Sequence, residues 1–397
     1  MKIKKLVALL GVLFLSAANA ADTGPIKLGF ITDMSGLYAD VDGKGGIEAM
    51  NMAIADFGGS VLGRKIEVVA LDHQNKADIA AAKAREWIDQ DGVNVIFGGT
   101  NSGTALATAK VTAEKKKIYI NNGAGTSALT NEQCSPYTIH YTYDTIGLAK
   151  VTGKAMASKG DKNWFFITAD YAFGYQLEKD ATQVILDNGG RVIGSVKHPL
   201  SASDFSSFLL QAQNSKAQIL GLANAGGDTI NAVKAASEFG INKTMKIAGL
   251  LIFITDIHSI GLKNAAGLLA TESWYWDLND ETREFGGRFL QKMKRMPTMV
   301  QAGDYSSTLA YLKAVKAAGT DDPDKVLKQL HSMKINDMFT KNGYIRKDGM
   351  MVHDMYLFEV KKAEEVKRPW DYYKLVQKVP GEQAFNTLAE SKCSFIK

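Results

Sequence analysis

From Ile26 onward the chain alternates short runs rich in β-branched and aromatic residues with stretches whose apolar residues recur every three or four positions. This order is the signature of parallel strands joined by crossover helices, and it narrows the fold more than any other feature. Ile26 to Thr32 predicts the first strand, and Ile47, Met50, Ile54 and Phe57 form one face of the helix after Gly43, Gly45 and Gly46. Strands at 66–71, 93–97 and 118–121 complete an expected first sheet of four. Their helices carry Ala80, Ala84, Trp87 and Ile88, and span 103–114. The alternation restarts with a helix at 144–158, strands at 164–168, 191–196, 219–223 and 245–248, and helices at 174–188, around Phe205 to Ala212, and at 228–238. Residues 267–276 predict a strand leaving this series. Helices at 281–294, 305–318 and 324–334 follow, then an antiparallel segment turning at Lys347-Asp348-Gly349 and an extended piece at 372–376.

The expected fold class is therefore α/β, with two doubly wound open-sheet lobes joined by a multi-strand hinge. A length of 397 residues suits two or three domains. The expected division gives 21–141 and 273–345 to lobe 1, and 142–272 and 346–397 to lobe 2 with a C-terminal tail. Open α/β sheets bind ligands beyond the carboxyl ends of their strands, so the site is expected in the cleft between lobes.

Lys2, Lys4 and Lys5 precede an apolar run from Leu6 to Leu15 and then Ala18-Asn19-Ala20, a small-x-small cleavage pattern. Residues 1–20 are expected to be a signal peptide and the mature protein periplasmic. The run is shorter than the ~20 apolar residues of a spanning helix, which argues against a membrane anchor, and no Cys follows the cut to carry lipid. Of 47 basic and 42 acidic side chains, 44 and 42 remain after the cut, so the net charge falls from +5 to +2. Nucleic-acid binding, which needs a basic face, is not expected. Cys134 and Cys393 are the only cysteines. In an oxidising compartment one disulfide is expected, the alternative being two buried thiols. These cysteines and six scattered histidines show no metal-ligand spacing, and no cofactor is expected.

Catalytic motifs fail on inspection. Asp42-Gly43-Lys44-Gly45-Gly46 lies between a strand and a helix but matches neither a phosphate loop nor GxGxxG, whose third glycine would fall on Glu48. No GxSxG elbow occurs. The protein is expected not to be an enzyme, with a hydrolase assembled in space as the alternative class.

The binding signal sits at strand ends. Gly98-Gly99-Thr100-Asn101-Ser102-Gly103-Thr104 opens a helix and offers hydroxyls and free N–H groups to a carboxylate without any arginine. Asn121-Asn122-Gly123-Ala124-Gly125-Thr126-Ser127 repeats the chemistry at the next strand end. Ordinary N-capping is the alternative for each.

With ITDMSG after the first strand, GGTNSGTALA, INNGAGTSALT and then TADYAFGYQ, the chain resembles the branched-chain-amino-acid type of periplasmic solute-binding proteins of ABC importers over nearly its whole mature length. The resemblance implies a type I periplasmic binding fold whose lobes close around a small ligand, and a monomer. It implies that Ser102, Ala124 and Thr126 hold the ligand carboxylate, with Asn101 beside them. Phe173 would be the aromatic contact of the second lobe, and Tyr38 and Asp40, in the segment to Asp42, the first-lobe contact loop. Amino-acid binders of the family place an acid after the strand at 245–248 to pair with the ligand ammonium. Here the chain reads Gly249-Leu250-Leu251-Ile252-Phe253. Because burying an unpaired ammonium is costly, Leu251 and its neighbours form an expected apolar wall that selects against amino acids. Asn224, Asp228, Asp170 and Asp256 are candidates for polar contacts.

The tail KRPWDYYKLVQKVPGEQAF is similar to the aromatic-acid-binding branch, which makes Trp274, Trp276 and Tyr305 candidate ring contacts, with core packing as the alternative. The expected function is capture of an aromatic carboxylate (benzoate, hydroxybenzoate or phenylpropanoid type) and its delivery to an ABC permease and, through it, an ATPase subunit. Two alternatives stand beside it. One is a branched-chain or other aliphatic amino acid met by Asp170 or Asp228, and the other is a periplasmic sensor of the same fold.

Overall fold

The computed structural model describes residues 24–157, 160 and 162–396, and the expected signal peptide lies outside them. The first lobe begins β1 (Ile26–Thr32), α1 (Gly43–Phe57), β2 (Ser60–Val61), β3 (Arg64–Asp72), α2 (Ala77–Asp89), β4 (Val95–Gly98), α3 (Ser102–Glu114), β5 (Ile118–Asn121) and β6 (Thr138–His140). Its sheet runs β2-β3-β1-β4-β5-β6, parallel except for β2. Six strands stand where four were expected. The two additions are strands of two and three residues, too short to show a period of their own. In β1 the side chains of Ile26, Leu28 and Phe30 on one face are fully buried and Ile31 on the other is buried too, as in a sheet covered on both faces.

The chain then crosses to the second lobe through α4 (Thr145–Leu148), a π-helical turn (Ala149–Gly153) and α5 (Lys154–Ala157). It continues with β7 (Asn163–Ala169), α6 (Ala172–Asp187), β8 (Arg191–His198), α7 (Ser206–Asn214), β9 (Ile219–Ala223), α8 (Gly227–Glu238), β10 (Lys246–Gly249), α9 (Ile254–Ile260) and α10 (Leu262–Ala265). The sheet order is β10-β9-β7-β8, all parallel. Helix α9 had no expected counterpart. Its first turn is closed by Asp256, whose carboxylate accepts the Phe253 N–H at 3.0 Å.

After β11 (Leu269–Glu272) come α11 (Asp280–Met293), α12 (Met299–Ala318) and α13 (Pro323–Ser332), then β12 (Tyr344–Ile345), β13 (Met351–Val352), β14 (Met355–Val360), β15 (Tyr373–Val379) and α14 (Gly381–Ala384). Helices α11 and α12 pack on α1, and Tyr311 of α12 meets Phe97 of β4 edge to face at 5.9 Å. Helix α12 starts six residues before the expected 305. Thr298 caps it, accepting the Gln301 N–H at 3.3 Å, while the Gln301 side chain accepts the Thr298 N–H at 3.1 Å. Strands β11, β14 and β15 form a separate antiparallel sheet.

Cys134 and Cys393 are bonded, 259 positions apart. The last residues of the tail lie against lobe 1, where the Ser391 hydroxyl donates to Thr130 O at 3.2 Å and the Lys392 N–H to Asn131 Oδ1 at 3.0 Å.

Candidate functional site

Six strand ends converge between the lobes. After β1, the buried Asp33 carboxylate accepts from the N–H groups of Gly36 (2.8 Å) and Tyr38 (2.9 Å) and from Asn75 Nδ2 (2.7 Å). This Asx-type turn fixes the direction of the Tyr38 side chain. After β4, Gly98 takes φ +113°, and a Cβ there would lie 2.4 Å from Ile31 O, so the close approach of β1 and β4 requires glycine. Thr100 follows, its Oγ1 accepting the Asp33 N–H at 3.2 Å. The loop after β5 supplies Gly123 and Gly125. The second lobe adds Tyr171 and Phe173 at the start of α6, Ala225 after β9, and Leu251 and Phe253 after β10. Tyr143 comes from the crossing segment.

Together with Tyr38 and Val41 these residues enclose a narrow slot with about 230 Å³ of space not filled by atoms. It has room for no more than about one water-sized sphere. The lobes are closed over it. Tyr38 and Tyr171 meet hydroxyl to hydroxyl at 2.6 Å across the cleft, and the Gly227 N–H reaches Leu37 O at 3.5 Å.

Among the described residues no charged side chain lines the slot. The N–H groups of Gly123 and Gly125 make no hydrogen bond to any described residue, an unusual state for buried backbone. They are donors left over for a ligand. Burial holds the hydroxyls of Tyr38 and Tyr143 well above the ordinary phenol range, so both stay protonated. Tyr143 donates to Gly123 O at 2.6 Å. Behind the slot, burial pushes Asp42 and Asp228 up to about 6 and Asp256 up to about 7.

Tyr38, Phe173 and Leu251 thus line the slot, and the other expected contacts stand elsewhere. Ser102 and Thr126 are brought together, the Ser102 hydroxyl accepting the Thr126 N–H at 3.2 Å. The Asn101 side chain accepts the N–H groups of Gly103 (2.9 Å) and Thr104 (3.1 Å), and the Ala124 N–H goes to Asn121 Oδ1 at 3.2 Å. These four bond within or between the two loops, and the slot is lined by their neighbours Thr100, Gly123 and Gly125. Asn224 bonds His198 and Thr229. Asp40 is exposed and paired with Arg295. Asp170 accepts from the Tyr175 hydroxyl, and Asp228 from the Ser201 N–H at 3.2 Å.

The candidate ring contacts from the third segment pack away from the slot. The Trp274 indole donates to Met338 O at 3.1 Å, the Trp276 indole to Trp370 O at 2.9 Å, and the Tyr305 hydroxyl to Asp56 at 2.7 Å. Sequence reasoning had not named Tyr143, Tyr171, Thr100, Gly123, Gly125 or Ala225 as contacts, and Phe253 lies in the apolar stretch it had marked around Leu251. All but Tyr143 lie within or beside the strand-end segments it had marked. Among the described residues no group of three or more His, Cys, Asp or Glu is placed to hold a metal.

Two parallel-sheet lobes closed over an uncharged slot at their strand ends define a type I periplasmic binding fold. The chain belongs to the periplasmic binding protein family, whose model matches residues 25–365. It is 64% identical to a periplasmic binding protein of Burkholderia mallei, over 94% of this chain and 99% of that one, with a TM-score of 0.93. It is 42% identical to a branched chain amino acid ABC transporter periplasmic ligand-binding protein of Burkholderia xenovorans LB400, over 94% and 100%, with a TM-score of 0.84. A solute binding protein of an ABC transporter from Rhodopseudomonas palustris BisB5, solved in complex with 3,4-dihydroxy benzoic acid, is 25% identical over 90% and 98%, with a TM-score of 0.81.

Proposed function

We propose that this solute-binding protein of an ABC importer captures a small aromatic carboxylate between its lobes and hands it to a membrane permease served by a separate ATPase. The observation that carries this reading is the division of the slot. One end offers the unpartnered N–H groups of Gly123 and Gly125, and the rest is Phe173, Phe253, Tyr143, Tyr171 and Leu251. Neutral backbone donors suit a carboxylate, and the rings suit a flat apolar body. An amino-acid ammonium would need an acid at the slot, and none of the described residues that line it is one. The likeness to the dihydroxybenzoate-bound protein points the same way.

Contact of the ligand with both lobes is what favours closure. The branched-chain amino acid reading rests on the name of the Burkholderia xenovorans relative and on Asp228, whose buried Oδ1 has no partner among the described residues.

A thermal-shift screen separates the two, since a ligand of the folded state raises its melting temperature. Benzoate, 4-hydroxybenzoate or cinnamate is expected to raise it and leucine and valine are not. A shift with leucine or valine alone overturns the aromatic reading.

A further inference from the structure

The disulfide does not lie within one lobe. Cys134 sits in the loop between β5 and β6 of the first sheet. The tail that carries Cys393 is first seated where the chain crosses to the second lobe: α14 packs against α4, which packs on α6 of that lobe while the Thr145 N–H at its start donates to Gly125 O of lobe 1 at 2.8 Å. The Phe385 ring lies against Gly147 of α4, and Lys150 Nζ donates to Phe385 O at 3.3 Å. Only then does the tail cross to Thr130, Asn131 and Cys134. Cys393 lies eight positions after Phe385, a reach of roughly 26–29 Å if fully extended. Much of that reach is taken up by a turn in which Thr387 O accepts the N–H groups of Glu390 (3.2 Å) and Ser391 (3.1 Å).

On the same flank Asp180 of α6 accepts from the Ser127 hydroxyl of lobe 1 at 2.9 Å. We propose that residues 385–393, fastened by the Cys134–Cys393 bond, form a covalent strap across the hinge that limits how far the lobes swing apart. A staple confined to one lobe would resist unfolding without affecting opening. A strap does both, because its two anchors belong to bodies that move relative to each other. Without the bond the crossing is held by hydrogen bonds that exchange with water. With it, the widest open form is cut off and the ligand-free protein spends more of its time near closure. The inference rests on the lobes opening and closing and is independent of which ligand they close on.

The test uses ligand-free protein, so failure of the ligand assignment leaves it intact. Small-angle scattering and amide hydrogen exchange compare the oxidised protein with Cys134→Ser/Cys393→Ser. They are also run on a chain that keeps both cysteines but carries four extra Gly/Ser residues between Leu388 and Ala389. Both variants are expected to show a larger radius of gyration than the parent. Exchange at the cleft mouth, residues 36–42 and 171–176, is expected to be several-fold faster. The lengthened strap keeps the test decisive if the cysteine-free chain folds poorly. Unchanged scattering and mouth exchange in the lengthened-strap protein would overturn the proposal and leave the disulfide a staple of the tail.

Discussion

Gly125→Ala tests whether the closed slot is the binding state. Gly125 does not have a positive φ, so alanine there escapes left-handed backbone strain. Its Cβ, however, would lie 2.8 Å from Phe173 Cε2 and 3.2 Å from Tyr143 Cε2. Carbon atoms pack best at about 3.5–4.0 Å, so the Phe173 ring has to retreat by roughly 0.7 Å or more. It has little room, being 2% exposed and packed against Tyr171 with ring centroids 6.1 Å apart. Overpacking of this kind costs about 1–3 kcal/mol, which at 1.4 kcal/mol per tenfold corresponds to an affinity loss of about 5- to 150-fold. Gly125 is carried by lobe 1 and Phe173 by lobe 2, so the cost falls on closure. Calorimetry with the aromatic acid that gives the largest thermal shift is expected to show the loss, while the ligand-free melting temperature stays near that of the parent. Unchanged affinity, or a ligand-free destabilisation as large as the binding loss, would refute the reasoning.

Tyr38→Phe removes the hydroxyl contact with Tyr171 across the cleft. At about 0.5–1.5 kcal/mol for one hydrogen bond, ligand dissociation measured by stopped flow should quicken by about 2- to 12-fold. Trp274→Phe takes the indole donor from Met338 O and should lower stability by about 1 kcal/mol in denaturant melts with ligand affinity unchanged. A matching loss of affinity would place Trp274 in the site after all. Asp42 faces Asp304 in a buried carboxyl pair, with Thr32 donating to Asp42 and Asn122 to Asp304 at 2.6 Å each. Burial pushes Asp42 up to about 6 and Asp304 well above its ordinary value. Between about pH 4 and pH 6 folded Asp42 keeps a proton that the unfolded chain has lost, so its contribution to stability falls as pH rises through that window. Asp42→Asn escapes this loss. The stability of the variant relative to the parent should climb from pH 4 to pH 6 and level off above, and a difference independent of pH in denaturant melts at pH 4, 5, 6 and 7 counts against a shared proton.

The parallel strands were legible because both faces of each are covered. β1, β7 and β9 read as near-continuous apolar runs, with turn residues and amphipathic helices between them. β2 and β6 exist only through pairing with β3 and β5, and α9 hides in Leu250 to Ile260, where every residue but His258 and Ser259 is buried and no polar face marks a helix. The site shows a subtler limit. Hydroxyl and amide side chains marked the loops that border the slot, but the Asn101 side chain accepts the N–H groups of its own helix and the Ser102 hydroxyl accepts the Thr126 N–H of the next strand-end loop. The donors left for a ligand are N–H groups on residues with no side chain, Gly123 and Gly125, and finding them requires a hydrogen-bond account that only a structure provides. The aromatics divide in the same way. Trp274, Trp276 and Tyr305 have indole or hydroxyl partners away from the cleft, whereas Phe173 and Phe253 have no polar group to satisfy and face the slot. The leftover donors come from lobe 1 and most of the leftover apolar surface from lobe 2, so neither lobe alone covers a ligand that is charged at one end and flat and apolar at the other. Such a ligand satisfies both only when they meet, which is the coupling that makes closure report binding.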